Sequence, residues 1–229
     1  MERYGLPADA ERQLGLLYRL LTEDPLAPTA VRDPGGVIDD HLADSLVALE
    51  LDAVRKATAV ADLGSGAGVP GLPLAIALAD ASVALVESAA RKCAFLERAV
   101  AACEVANARV IHARAEAWPD GLGVFDLVTA RALAPLEVVA EYAAPLLTIG
   151  GSLVAWRGRR DAEAEHTAAR AAAQLGLEPV EIRRMQPFPG AEHRYLHLMS
   201  KVTETPLGFP RRPGMATKRP LGRNATPAI

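Results

Sequence analysis

The sequence predicts an α/β fold of the doubly wound, Rossmann-like type, with seven strands of which the last is antiparallel. Short apolar runs alternate with amphipathic helical patterns over residues 59–175, the order that produces a parallel sheet. A strand over Ala59–Leu63, a glycine turn and the start of a helix follow one another over residues 59–78. Two further strand-like runs, 178–185 and 194–202, have no helix between them and predict a closing antiparallel hairpin.

Length and composition limit what the chain can be. Its 229 residues, 50% hydrophobic and 23% charged, are enough for one α/β domain with a full core and short additions. Aromatic residues make up only 4%, which argues against a platform that stacks single-stranded bases. The net charge of −3 shows that the chain as a whole is not a basic nucleic-acid binder.

The cysteines and the apolar runs bear on metal binding and on cellular location. Cys93 and Cys103 are not spaced as a metal or redox pair, and we expect no metal ion. We recognise no signal peptide and no apolar run long enough for a bilayer. We therefore expect a cytoplasmic monomer that is not attached to a membrane.

The glycine turn carries the strongest functional signal. Gly64, Gly66 and Gly68 allow a sharp turn that brings a ligand against bare backbone. Asp62, at the end of the preceding strand, repels a pyrophosphate but suits a cationic amino group. The pattern resembles the acid-x-Gly-x-Gly-x-Gly motif of class I S-adenosylmethionine methyltransferases. Gly66 to Gly71 also matches the dinucleotide fingerprint, so NAD remains open, as does a turn that binds nothing.

We predict three parts: a helical cap over residues 1–52, a main domain over 53–204 and a basic arm over 205–229. The cap begins with an amphipathic helix over residues 9–21, with apolar residues at i, i+3, i+4 and i+7 spacing.

A second cap helix is predicted to start at Asp33, which precedes a proline, and to run to about Leu49. Val37, His41 and Ser45 follow each other at i+4 steps, which puts His41 at the edge of the apolar face. His41 either fixes this helix to the main domain by a hydrogen bond or positions the substrate.

Glu87 and Ser88 follow the second strand of the main domain, about 20 residues after the glycines. An acid at this position commonly binds the hydroxyl groups of a ribose. The alternative is a carboxylate that is favoured by the dipole of the next helix, whose first turn Ser88 could cap.

Two more groups fall at the same edge of the sheet. The turn 114–118 follows the third strand, predicted over Ala108–His112, and its acid, Glu116, can meet an adenine ring. Arg131 directly follows the fourth strand, 125–130, and is either a salt bridge in the loop or a contact to ligand or substrate. A helix from Leu136 to Leu147 is predicted next, ended by Gly150-Gly151 and followed by a fifth strand over 152–156.

The arm differs in composition from the rest of the chain. It contains no acids, and its prolines argue against regular structure. Such a segment suits contact with the phosphate backbone of RNA, although a solubilising tail is the alternative. The candidate RNA-binding residues are Arg211, Arg212, Lys218 and Arg219.

For a methyltransferase, the sequence restricts the acceptor by what it lacks. The segment 129–135 holds neither the cysteine that carbon-5 methylation of a pyrimidine needs nor the Asn/Asp-Pro-Pro-aromatic tetrad used on base amines. A reaction that needs little acid–base help remains, and guanine N7 fits because its lone pair is free. No residue is therefore predicted to act as an acid or base; Arg131 and His41 are candidates for positioning. A methyltransferase that acts on another RNA or on a small molecule stays open as the alternative.

The chain resembles the bacterial small-subunit ribosomal RNA guanine-N7 methyltransferases, the glucose-inhibited division protein B family. The similar segments are Thr29–Pro34, His41–Leu46, Asp62–Pro73, Glu87-Ser88 with Arg91-Lys92 and Phe95-Leu96, Arg114–Glu116, Ala130–Ala132, Phe209–Gly214 and Lys218–Leu221. The resemblance implies a class I fold with an N-terminal helical cap, S-adenosylmethionine as cofactor, and as acceptor a guanine in the decoding-region loop of 16S rRNA, presented as rRNA or as a small ribosomal subunit. It also implies that the cofactor is bound by Gly64, Val69, Ala115, Glu116 and Arg131.

The chain departs from the family at three places. Ala27-Pro28 stands where Asn-Leu is frequent, Arg157 where Lys is frequent, and Glu87 where Asp is frequent. The first change affects the N-terminal side of the substrate site, and the other two keep the charge while changing reach and geometry.

Overall fold

The computed structural model describes residues 2–223 and contains one seven-stranded sheet. The strands are β1 (Ala59–Leu63), β2 (Ser82–Glu87), β3 (Ala108–His112), β4 (Phe125–Arg131), β5 (Leu147–Arg157), β6 (Leu177–Arg184) and β7 (Tyr195–Lys201). Their spatial order is β3-β2-β1-β4-β5-β7-β6. Strands β1 to β5 are parallel, and β7 runs antiparallel to both β5 and β6. The predicted fold class is confirmed.

Helices cover both faces of the sheet. The α-helices are Ala10–Glu23, Asp52–Arg55, Gly71–Ala77, Ala90–Ala102, Leu136–Ala143, Ala162–Gln174 and Met215–Lys218, and a helical segment of mixed type spans 34–50. Alternate residues of β2 enter different cores: Leu85 packs with the cap helices, whereas Val86 packs with helix 136–143. Apolar residues on both faces make a central strand a continuous apolar run. Within residues 2–223, no helix is long and apolar enough to cross a membrane.

The cap follows the predicted pattern in its first helix and departs from it in its second. Helix Ala10–Glu23 buries Leu14, Leu17 and Leu21. Asp33 caps the second segment, where its carboxylate accepts the amide of Gly36 at 2.7 Å. Residues Val37–Ala43 then form a π-helix with i→i+5 hydrogen bonds, which the sequence did not predict. The predicted i+4 stack is nevertheless present, because Val37, His41 and Ser45 are all buried.

The helix predicted from Leu136 to Leu147 is shorter than expected. It ends at Ala143, and Leu147 already begins β5, paired with Phe125. Pro145 explains the early end because it has no amide hydrogen to continue the helix. Gly150 and its successor lie inside the long strand, at a bend where Gly150 has φ = +86°. The expectation that these glycines stop the helix was wrong.

The C-terminal segment also differs from its prediction. The structure describes it as far as Arg223, and residues 224–229 of the predicted arm lie outside the described part. Despite the prolines, Met215–Lys218 forms one helical turn, which begins after Gly214 at φ = +82°. The boundaries of the three predicted parts stay predictions.

Candidate active site

The glycine turn connects β1 to helix 71–77 through three residues with positive φ, namely Gly64, Gly66 and Gly68. The amide of Gly64 donates to the carbonyl oxygen of Val86 on β2 at 2.8 Å. A Cβ on Gly64 would lie 2.6 Å from Cδ1 of Leu133, whereas one on Gly66 would meet only a carbonyl oxygen at 3.6 Å. The turn thus leaves open space at its middle glycine.

Asp62 lies beneath this turn and is completely buried. Its Oδ1 accepts the hydroxyl of Thr129 at 2.8 Å, whereas Oδ2 has no hydrogen-bond partner within residues 2–223. Burial raises the pKa of Asp62 to about 6, against the hydrogen bond from Thr129. An unpaired buried carboxylate oxygen fits the positive charge that the sequence predicts for the ligand.

Glu87, at the end of β2, joins the glycine turn to the next helix. Its Oε1 accepts the amides of Ser88 and Ala89 at 2.8 and 2.9 Å, and its Oε2 accepts the amide of Gly66 at 3.2 Å. The N-cap is Ala89, without a side-chain bond, so the expectation that Ser88 caps this helix was wrong. The carboxylate of Glu87 instead accepts amides that precede the first turn of this helix.

A cavity of about 120 Å³, the small cavity, lies at the carboxyl ends of β1 and β2. It brings together four of the predicted cofactor residues, Gly64, Ser88, Ala115 and Glu116. Val69 is buried in the core that contains the cap helices and does not line this cavity. Leu133 and Tyr142 line it and were missed; an apolar loop residue and a tyrosine on a helix carry no signal in the sequence.

A cavity of about 500 Å³, the large cavity, lies between the cap, the ends of β4 and β5, and the start of β7. Ala132, with φ = +52°, lines the large cavity and the adjacent Leu133 lines the small one, so this loop separates the two. A non-glycine residue held at positive φ is strained and needs support from its surroundings. The loop receives support from Arg157, which donates to the carbonyl oxygen of Ala134 at 2.9 Å.

Arg131 reaches into the large cavity and not into the small one. Its guanidinium donates to the carboxylate of Asp44 at 2.9 Å, to the carbonyl oxygen of Asp40 at 2.7 Å and to Nδ1 of His41 at 3.2 Å. The two predicted positioning residues, Arg131 and His41, are therefore in contact. The ion pair that the sequence left as an alternative for Arg131 is present, although it joins Arg131 to the cap rather than to its own loop.

His41 is held as a neutral imidazole. Because a guanidinium can only donate, Nδ1 of His41 must accept, which leaves the ring hydrogen on Nε2. Nε2 then donates to the hydroxyl of Thr29 at 2.8 Å. Burial, and next the charge of Arg131, lower the pKa of His41. His41 both fixes the cap and lines the large cavity, so the two alternatives from the sequence are compatible.

Asp44, Trp156 and Arg194 complete this site and were not predicted. Burial raises the pKa of Asp44, and Arg131 opposes the shift. The indole of Trp156 donates to the carbonyl oxygen of Asp44 at 2.7 Å, and Arg194 lies 3.4 Å from its Oδ1. Asp44 could have been predicted as a site residue because it lies one turn after His41. Arg194 could not, because it follows Asp44 by 150 residues and no local spacing connects the two.

The four candidate RNA-binding residues fall into two groups. Arg211 is partly buried and forms a bidentate ion pair with Glu141. Arg212, Lys218 and Arg219 are exposed. Among residues 2–223, no three His, Cys, Asp or Glu side chains are grouped as a metal site would need.

The sheet order, the acid-and-glycine turn and the acid at the end of β2 define a class I S-adenosylmethionine-dependent methyltransferase. A Thermotoga maritima structure titled as a SAM-dependent O-methyltransferase matches with a TM-score of 0.56 at 17% identity, over 83% of this chain and 72% of that one. A structure of a predicted O-methyltransferase from Agrobacterium tumefaciens matches with a TM-score of 0.53 at 27% identity, over 72% of this chain and 81% of that one.

The family follows from sequence comparison. Residues 20–190 match the family model GidB, described as rRNA small subunit methyltransferase G. Relatives with the name Ribosomal RNA small subunit methyltransferase G are 39% identical in Chloroflexus aggregans, over 95% of this chain and 94% of theirs, and 36% identical in Rubrobacter xylanophilus, over 96% and 88%. The chain belongs to this family, which decides against the NAD-binding alternative.

Proposed function

We propose that this enzyme transfers a methyl group from S-adenosylmethionine to N7 of a guanine in 16S rRNA. The observation that carries the proposal is the large cavity, whose volume is sufficient to hold a nucleobase flipped out of its stack. Four arginines line it, Arg131, Arg157, Arg159 and Arg194, although the whole chain is acidic. Arginines suit both O6 of guanine and the phosphates around it.

The residues around the small cavity fit the cofactor. The glycine turn offers bare backbone, and Asp62, which does not line the cavity itself, supplies a buried negative charge beneath the turn. We assign the backbone of Gly64, Gly66 and Gly68 to the amino-acid part of the cofactor, and Glu87 with Ser88 to its ribose. Val69, which does not line this cavity, keeps its predicted role only through its place in the same turn. Ala115 and Glu116 would hold the adenine. Bound there, S-adenosylmethionine supplies an electrophilic methyl group.

The large cavity would orient the guanine without removing a proton from it. His41 cannot act as a strong base because its Nδ1 already accepts a hydrogen bond from Arg131. N7 of guanine needs no base, so holding it in line with the methyl group is the main requirement. Arg131 and His41 would position the acceptor, and the loop at Ala132 would lie between the acceptor and the cofactor.

Methyl transfer from labelled S-adenosylmethionine tests the proposal directly. Purified enzyme is given 16S rRNA and, separately, small ribosomal subunits, and the labelled nucleoside is identified. We expect 7-methylguanosine from a single site in at least one of the two substrates. We place this activity in the cytoplasm. Tight cofactor binding without label in either RNA would overturn the assignment of the acceptor and leave that of the cofactor.

A further inference from the structure

The C-terminal segment, residues 206–223, packs on helix 136–143 instead of extending away as an arm. The guanidinium of Arg211 donates from Nε to Oε1 of Glu141 at 2.6 Å and from its second nitrogen to the other carboxylate oxygen. The same guanidinium also donates to the carbonyl oxygen of Arg219 at 2.9 Å. The side chain of Glu141 is only 2% exposed, so Arg211 neutralises a carboxylate that water cannot reach.

A second buried carboxylate on the same helix depends on the same segment. Glu137 lies one turn before Glu141, its side chain is 5% exposed, and it pairs with Arg223 at 3.2 Å. Two acids at i and i+4 repel each other on a helix surface, and burial strengthens the repulsion. Helix 136–143 therefore needs the arginines of the C-terminal segment in order to bury both acids.

The segment also holds two walls of the small cavity. The amide of Gly214 donates to Oε1 of Glu116 at 3.1 Å, and Thr217 is hydrogen bonded to the hydroxyl of Tyr142 at 3.3 Å. Glu116 and Tyr142 both line the small cavity. Glu116 is assigned to the adenine and lies on the short helical turn Ala115–Ala117, where Arg114 also lies 3.7 Å from its Oε1.

We propose that residues 206–223 are part of the cofactor site, and that Arg211 is a positioning residue that acts through Glu141 rather than a contact to RNA. Arg211 and Glu141 dock the segment, and the docked segment then orients Glu116 and Tyr142 around the adenine. This inference rests on the proposed assignment of the small cavity to S-adenosylmethionine. It reverses the simpler expectation that removing the arm would weaken RNA binding and leave cofactor affinity intact.

Calorimetric binding of S-adenosylhomocysteine, which lacks the methyl group, tests the proposal. We expect Arg211→Ala to weaken binding about tenfold, a size typical of the energetic coupling between two separate sites in a protein. Arg212→Ala removes an exposed arginine next to it and should leave cofactor affinity unchanged. Equal affinity of the parent, Arg211→Ala and Arg212→Ala would overturn the proposal, whereas failure of the parent itself to bind would overturn the assignment of the cavity.

Two further variants separate positioning from folding. Arg211→Ala/Glu141→Gln removes the buried charge along with its partner, so it should melt closer to the parent than Arg211→Ala but bind the cofactor as weakly. Thr217→Val removes only the hydroxyl that reaches Tyr142, and we expect a smaller loss of affinity. Hydrogen exchange at 115–118 in the unliganded protein should be faster in both Arg211 variants. Parent-like affinity and exchange in the double variant would show that Arg211 is merely structural.

Discussion

Arg131 donates to Nδ1 of His41 across 3.2 Å, and this hydrogen bond is one of three by which Arg131 joins the end of β4 to the helical cap. It fixes the tautomer of the imidazole and orients the guanidinium, whose other nitrogen bonds to Asp44. The large cavity is thus built at the contact between two parts of the chain that are 90 residues apart. Cap docking and acceptor positioning depend on the same side chains.

Removing Arg131 should destabilise the fold strongly. Arg131→Met leaves Asp44, whose side chain is 7% exposed, without its main partner, and we expect a loss of about 3 kcal/mol in the free energy of unfolding. Urea denaturation at pH 7.5 measures it. Arg131→Met/Asp44→Asn removes both charges and should recover part of the loss. A loss below about 1 kcal/mol in the single variant, the value of a surface pair, would contradict this prediction.

The neutral state of His41 predicts a dependence of stability on pH. Its pKa is lowered in the folded protein, so the unfolded chain binds more protons once the pH falls below about 6.5. The contribution of His41 to stability should therefore decrease on acidification from pH 7 to 5.5, by at most about 1.4 kcal/mol per pH unit, whereas the raised pKa of Asp62 acts in the opposite direction below about pH 6.

His41→Gln isolates the contribution of this histidine. Glutamine can still accept from Arg131 and donate to Thr29, but it does not titrate. Other buried groups, among them His197 with its own lowered pKa, titrate alike in both proteins. The variant should lose less stability between pH 7 and 5.5 than the parent does. Identical losses would mean that folding does not lower the pKa of His41.

Much of this architecture could be predicted from the sequence, because buried parallel strands are visible as apolar runs between turn residues. Strands β1 and β3 have the predicted boundaries, Ala59–Leu63 and Ala108–His112. The start of β5 was missed because Leu147 continues the spacing of the preceding helix, and only Pro145 argues against it. The π-helix around His41 was missed because an extra residue in a turn leaves the apolar spacing almost unchanged.

The candidate site was predictable where its residues follow strand ends, and not where distant segments meet. Gly64, Ser88 and Glu116 come together because parallel strands end at one edge. In contrast, Arg211 meets Glu141 over 70 residues of chain, and no local pattern reveals such a pair. A basic, proline-containing segment has the same composition whether it binds RNA or its own domain.

The close approach of Leu133 to Gly64 predicts the effect of enlarging that glycine. Gly64→Ala would place Cβ 2.6 Å from Leu133 at a backbone angle of +66°, which costs alanine about 1 kcal/mol or more. We expect lower thermal stability and at least tenfold weaker binding of S-adenosylhomocysteine, a loss of about 1.4 kcal/mol. Adding Leu133→Ala should relieve the clash but not the backbone strain, so recovery should be partial. Full recovery would show that backbone conformation at Gly64 is unimportant.

Asp62 predicts that cofactor affinity depends on pH. Its pKa is raised to about 6, so the unliganded protein holds a neutral carboxyl below pH 6 and a carboxylate above it. Because the amino group of the cofactor is cationic, it favours the carboxylate, and binding should weaken as the pH falls from 7.5 to 5.5. Calorimetry with S-adenosylhomocysteine over this range measures the effect.

Two substitutions show whether this pH dependence belongs to Asp62. Asp62→Asn should bind weakly, with little change between pH 5.5 and 7.5. Thr129→Val removes the hydroxyl that donates to Oδ1 at 2.8 Å and favours the ionised form, so the midpoint should move to higher pH. In the absence of cofactor, Asp62 holds a proton in the folded protein between about pH 4 and 6, whereas the unfolded chain has lost it. The contribution of Asp62 to the free energy of unfolding therefore decreases as the pH rises through that window. A parent affinity that does not change with pH, together with an unshifted midpoint in Thr129→Val, would mean that the charge of Asp62 has no part in cofactor binding.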